Sequence, residues 1–182
     1  LRSVKKCKIT NDTVAEYLNF LIESFLFRQA KRYDVKGKKY FEYPSKFDCE
    51  DIGLRNVRLN MRQQEETHIM ENIIYNDLLI KGYSVDVGVV KISEAGEDGK
   101  LHQKSCEIDF IASKGMKKYY IQSALSIADL DKAVQEVRPL LAVKDFFQKI
   151  IVTKTSMKPW IDEKGVQHVG LYDFLLQDDV LN

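Results

Sequence analysis

The chain has 182 residues, 45% of them hydrophobic and 30% charged, with a formal net charge of +1. This composition excludes a disordered chain and allows one good core, or a large and a small one, so a folded α/β or α+β protein is expected. No apolar run approaches the roughly 20 residues that cross a bilayer, and LRSVKKCKIT lacks the apolar stretch of a secretory signal. A soluble, cytoplasmic protein with no membrane partner is therefore expected. Cys7, Cys49 and Cys106 are too few and too widely spaced for a disulfide framework or a zinc knuckle, which leaves reduced thiols. The chain opens on Leu1, close to a helical pattern, as a fragment of something longer would. Its charge is uneven: Leu1 to Lys46 carries 11 Lys and Arg against 5 Asp and Glu, a net +6, and the remainder is −5. Two units with different tasks are expected, residues 1–46 and residues 47–182.

TVAEYLNFLIESFLF begins with Thr13 and Glu16 in the spacing of a capping box, and Val14, Tyr17, Leu18, Leu21, Ile22 and Phe25 follow as one apolar stripe. The pattern predicts an amphipathic helix with that stripe buried. FLFRQAKRYDVKGKKYFEY then predicts a hairpin turning at Val35, Lys36 and Gly37. Arg28, Lys31, Arg32, Lys36, Lys38 and Lys39 crowd it, opposed only by Asp34. A capped helix running into a basic hairpin is the order of a winged helix, in which the hairpin lies against phosphates, so these six residues are candidate nucleic-acid contacts and DNA is a candidate partner. KFDCEDIGLRN predicts a strand and a turn at Gly53.

A second helix is predicted from about Thr67 to a glycine stop at Gly82, apolar over most of its circumference, with Glu71 placed on it as a first-turn carboxylate and His68 beside it. YSVDVGVVKI alternates as a strand does, and a polar turn, SEAGEDGK, follows. GEDGK is not an ATP-binding loop: no G-x-x-x-x-G-K-[ST] occurs anywhere in the chain. LHQKSCEIDFIA and KKYYIQSA predict two further strands joined through SKGM. Cys106, Ile108 and Phe110 are expected on one face with Glu107 and Asp109 on the other, while Tyr120, Gln122 and Ala124 share a face. DLDKAVQEVRPLLAVKDFF predicts a helix from near Asp129, bent or ended around Pro139. FQKIIVT reads as an apolar strand covered on both sides, and IDEKGVQHVGLYDFLLQ as a turn at Gly165, a strand through Val169 and a short helix. From Thr67 the order is α-β-β-β-α-β, a single α/β unit.

That order resembles the PD-(D/E)xK, or restriction-endonuclease-like, fold. More closely, HIMENIIYNDLLIKGYSVDVG, EIDFIA and KKYYIQSA resemble the C-terminal domain of unknown function of a family of predicted bacterial and archaeal AAA-type ATPases. AKRYDVKGKKYF with DIGLRN is similar to the partial winged-helix linker that precedes that domain. The resemblance implies an N-terminal ATPase module in the same parent chain, which would hold the ATP, and no cofactor in this chain itself. It places Glu71 at the acid of the first helix, Asp109 at the fold's motif Asp, Gln122 at the Glu of E-x-K and Ala124 at its Lys. In active members the carboxylates hold Mg²⁺ and the lysine polarises the attacking water. Here Ala124 supplies no ammonium, and Lys117 and Lys118 are expected too far along the strand to replace it. Glu71 and Asp109 are then a weak metal site at most, and Asp109 is expected as a buried remnant bonded to Gln122, with Tyr120 and His68 as further candidate partners. Three functions compete: a non-catalytic nucleic-acid- or protein-binding module, a divalent-metal nuclease, and a structural or oligomerising domain.

Overall fold

The computed structural model describes residues 9–41, 44–62, 65–95, 100–126 and 130–181. Helix α1 (Asn11–Glu23) starts from Thr10, whose hydroxyl oxygen accepts from the Thr13 N–H at 3.1 Å. The cap thus lies three residues before the predicted one, because the polar TND turn is itself helical. Phe25, at φ 56°, stops the helix in the left-handed region while its N–H and that of Leu26 donate to Ile22 O and Leu21 O, both at 3.0 Å. The apolar stripe does not enter a core. Leu18, Leu21 and Ile22 are half-buried, and Val14, Tyr17, Phe20 and Phe25 are exposed.

The predicted basic hairpin divides at Lys31. Strand β1 (Phe27–Ala30) pairs antiparallel with β4 (Lys46–Cys49) in a separate two-stranded sheet. Strand β2 (Arg32–Asp34) turns into β3 (Lys39–Tyr40), and this pair joins the large sheet, with β2 parallel to β5 (Ser84–Ala95). The hairpin is therefore an edge of that sheet and not a free-standing wing. The position between Lys46 and Phe47 falls inside β4. Where a turn at Gly53 was expected, the chain forms a short helix, α2 (Ile52–Arg58), because Asp51 caps it by accepting from the Leu54 N–H at 3.0 Å.

Helix α3 (Glu66–Ile80) ends as predicted at Gly82, φ 82°. Strands β5, β6 (Leu101–Lys114) and β7 (Lys117–Ala124) run antiparallel in succession. Helix α4 (Leu130–Leu141) then carries the chain across to β8 (Gln148–Thr153), parallel to β7. Pro139 lies within α4, which ends two residues later; the expected start at Asp129 falls outside the described residues. Strands β9 (Trp160–Ile161) and β10 (Val166–Gly170), helix α5 (Leu171–Leu176) and a closing turn of 3₁₀ helix (Asp178–Leu181) complete the chain. The result is a mixed α/β protein whose eight-stranded sheet has the order β3-β2-β5-β6-β7-β8-β10-β9. Four of its seven neighbour pairs are antiparallel and three parallel.

Two cores cover the two faces. On one, Met70, Ile74 and Leu78 of α3 and Phe174 of α5 pack on Val87, Phe110, Ile121 and Ile150. On the other, Val137 and Leu140 of α4 pack on Ile108, Tyr120, Ala124 and Ile151. Helix α3 is also tied to β4, because Asn72 and Asn76 donate to the backbone carbonyl of Cys49, at 2.8 and 3.0 Å. No described helix is long and apolar enough to cross a membrane.

Candidate functional site

Ile108 and Phe110 lie on opposite faces of the sheet, contrary to strict alternation. Between Gly88↔Ile108 and Asp86↔Ile111 the β6 strand holds one residue more than β5, which is a β-bulge at Asp109 and Phe110. Gly88 permits it: a Cβ there would meet Ile108 Cβ at 3.0 Å and Ile111 Cδ1 at 3.1 Å. The bulge aims Asp109 at the neighbouring strand just where the β6–β7 ladder, which runs from Lys114↔Lys117 to Phe110↔Ile121, gives out. Asp109 Oδ2 accepts there from the Ser123 N–H and the Ser123 hydroxyl, both at 2.8 Å. The Asp109 N–H donates in turn to Gln122 Oε1, at 3.4 Å, and Gln122 Nε2 donates to Glu136 Oε2 of α4 at 3.1 Å.

From the other side α3 presents Glu71, whose side chain is 12% exposed and forms an ion pair with Lys46 of β4. Lys46 and Asp48 alternate onto the same face of β4, so both reach this end of the molecule. Asp48 is 6% exposed, and its Oδ2 has no hydrogen-bond partner. Burial pushes the Asp109 carboxyl up to about 7 from an ordinary 3.8, and the Glu71 charge adds to it, against the Ser123 hydrogen bonds and Lys46. Burial also raises Asp48 and Glu136, in each case with Glu71 contributing. Burial works against the charge on Lys46, but Glu71, Asp109 and Asp48 together hold its ammonium above the usual value. One ammonium, that of Lys46, thus stands near three carboxyl groups, Glu71, Asp109 and Asp48.

Glu71, Asp109 and Gln122 are thus near one another, although Gln122 bonds the Asp109 backbone and Ser123 takes its carboxylate. Ala124 is buried in the α4-side core and offers no charge. Tyr120 and His68 do not join: the Tyr120 hydroxyl donates to Asp145 Oδ2 at 2.6 Å, and His68 lies 3.0 Å from Glu65. Lys118 stays with the rings of Tyr33 and Phe147, 6.0 and 5.2 Å from their centres. Sequence reasoning missed Lys46, Ser123 and Glu136. Ser123 could have been found from its place between Gln122 and Ala124; Lys46 comes from a strand with no motif of its own. Asp109 Oδ2 is taken twice by Ser123, Glu71 is paired with Lys46, and no group of three His, Cys, Asp or Glu side chains among the described residues is spaced to hold a metal ion.

The six candidate nucleic-acid contacts separate. Arg28 pairs with Glu50, and Arg32 pairs with Glu107 at 2.6 Å and also donates to Pro44 O. Lys31 lines a shallow recess with Tyr40 and Phe41. Lys36 and Lys38 line a different cavity, on the face that α4 covers, and Lys39 is exposed on β3.

A protein of Haemophilus influenzae, described as an uncharacterized protein, is 37% identical over 169 residues, which are 92% of this chain and 38% of the relative. The chain therefore spans well under half the length of that relative. No protein-family model matches the chain, and no solved structure matches it.

Proposed function

We propose that this chain is a non-catalytic nucleic-acid-binding module on a restriction-endonuclease-like scaffold, preceded by a partial winged-helix unit, and that it serves the C-terminal part of a predicted AAA-type ATPase. The run α3-β5-β6-β7-α4-β8, with an acid on α3 and a bulged Asp on β6, supports the scaffold. The much greater length of the Haemophilus relative is consistent with a further module in a parent chain. The observation that carries the non-catalytic reading is that protein groups engage the two acids at the nuclease-like positions, Glu71 by Lys46 and Asp109 by Ser123. Hydrolysis of a phosphodiester needs carboxylate oxygens facing a metal ion and water, and here Glu71 and Asp109 each hold a protein donor. Supercoiled plasmid incubated with the chain and Mg²⁺ or Mn²⁺ should stay intact to the same extent as with Asp109→Ala. A gel shift with single-stranded and with duplex DNA, titrated with salt, should show binding that weakens steeply as ionic strength rises. Flat or absent binding at low salt removes the nucleic-acid part.

Lys46 favours a second reading, a divalent-metal nuclease. It brings to Glu71 and Asp109 the ammonium that Ala124 lacks. On that reading the plasmid is cut, and Lys46→Met abolishes cutting as completely as Asp109→Ala does.

A further inference from the structure

We infer that the lysine-lined cavity between the β2–β3 turn, β5 and the α4–β8 loop is the phosphate-binding site for a single nucleic-acid strand, with an unpaired base stacked on Phe146. The inference rests on the nucleic-acid-binding reading and assigns it a place. The cavity has a volume of about 400 Å³, and Lys36, Lys38, Lys91 and Lys144 stand around it over a floor that includes Val90 and Val143. All four lysines are exposed, and none of them has an ion-pair partner among the described residues. The one carboxylate of the lining, Asp145, is turned into the protein, where it accepts from the Tyr120 hydroxyl at 2.6 Å and the Phe147 N–H at 3.3 Å. Four exposed lysines from three elements line one cavity with a single carboxylate, and this excess of positive charge favours an anion there.

The tip is built to hold its lysines there. Asp34 Oδ1 accepts from the N–H groups of Lys36 and Gly37, at 3.1 and 2.8 Å, and Lys38 N–H donates to Asp34 O at 2.8 Å. This leaves Lys38 at φ 51°, a conformation in which glycine or asparagine would be relaxed and a lysine is not. Phe146, which follows the lining residues Lys144 and Asp145 in sequence without itself lining the cavity, is fully exposed, at 106%. An aromatic ring beside a cationic groove is how unpaired strands are held: the phosphates follow the charge, and a base covers the ring. Paired bases cannot leave their stack to do so, and this selects a single strand over a duplex.

Labelled single-stranded and duplex oligonucleotides of equal length, titrated with the full chain by fluorescence anisotropy over a range of salt, test the inference. The triple variant Lys36→Gln/Lys91→Gln/Lys144→Gln should reduce the slope of log affinity against log salt by about 2 for the single strand. Phe146→Ala should weaken single-strand binding roughly five- to a hundredfold and leave the duplex unchanged. All four positions are exposed, and an unchanged circular dichroism spectrum and melting temperature confirm that the variants fold. Nucleic-acid binding that survives the triple variant with its slope intact overturns the inference while leaving the proposed function standing. Binding of neither strand form overturns both. Lysine-dependent binding of inorganic triphosphate or ATP without any oligonucleotide binding also overturns it, and identifies a free nucleotide as the source of the phosphate.

Discussion

Asp109 sits where its charge is disfavoured, and this has a measurable consequence for stability. Its carboxyl has an ordinary value of 3.8 and a folded value of about 7. Between those two pH values the folded chain holds a proton that the unfolded chain has released, so Asp109 favours folding below about pH 4 and loses that contribution as pH rises through 7. Asp48 and Glu136, also raised, act in the same direction. Asp109→Asn keeps an acceptor for Ser123 without the charge. Urea unfolding across this range should show the variant gaining on wild type as pH rises; parallel curves would mean that Asp109 is ionised throughout. Lys46 is the ammonium on which Glu71 depends. Lys46→Met leaves that carboxylate without its partner and should cost about 2 kcal/mol. Lys46→Met/Glu71→Leu should recover most of the loss, since an apolar pair often replaces a buried ion pair without penalty. Equal destabilisation of the single and double variants would show that the pair is not what the cluster is built on.

At the scale of elements, the β6 bulge is the feature that turns two ordinary strands into a site. It depends on Gly88, which leaves no room for a side chain against Ile108 and Ile111. Gly88→Val should destabilise the chain by about 1–3 kcal/mol and shift the Asp109 amide resonance; a neutral substitution would show that the bulge is supported from elsewhere. The same element marks a limit of what the sequence discloses. Alternation in EIDFIA correctly gave a strand but put Ile108 and Phe110 on one face, because a single extra residue is invisible to a period-two pattern. KKYYIQSA, by contrast, was legible to its boundaries and its faces. FQKIIVT was legible as a doubly covered strand, since an apolar run of that kind has few other uses. Helix α2 was not, because its sequence carries no apolar period and its start depends on Asp51 as a cap. The basic hairpin was read as a local unit, yet its two halves obey different long-range partners, β4 and β5. Pairing over such separations leaves no trace in composition.

For the whole molecule, the sheet gathers acids from α3, β6 and α4 and a lysine from β4 to one cluster, and it spreads the predicted basic residues over several surfaces. The sequence singles out Glu71, Asp109 and Gln122, and the structure places all three at this cluster. Lys46 was not legible, because it lies 25 residues before Glu71 in a stretch without a motif. The central claim is that Lys46 and Ser123 engage Glu71 and Asp109 in place of a divalent cation. Thermal unfolding of wild type and Asp109→Asn at constant ionic strength, in chelator and then in millimolar Mn²⁺, tests it most directly, because a cation that binds the folded state raises its melting temperature. The account predicts that Mn²⁺ leaves both midpoints unchanged. A rise for wild type that disappears in Asp109→Asn would contradict it.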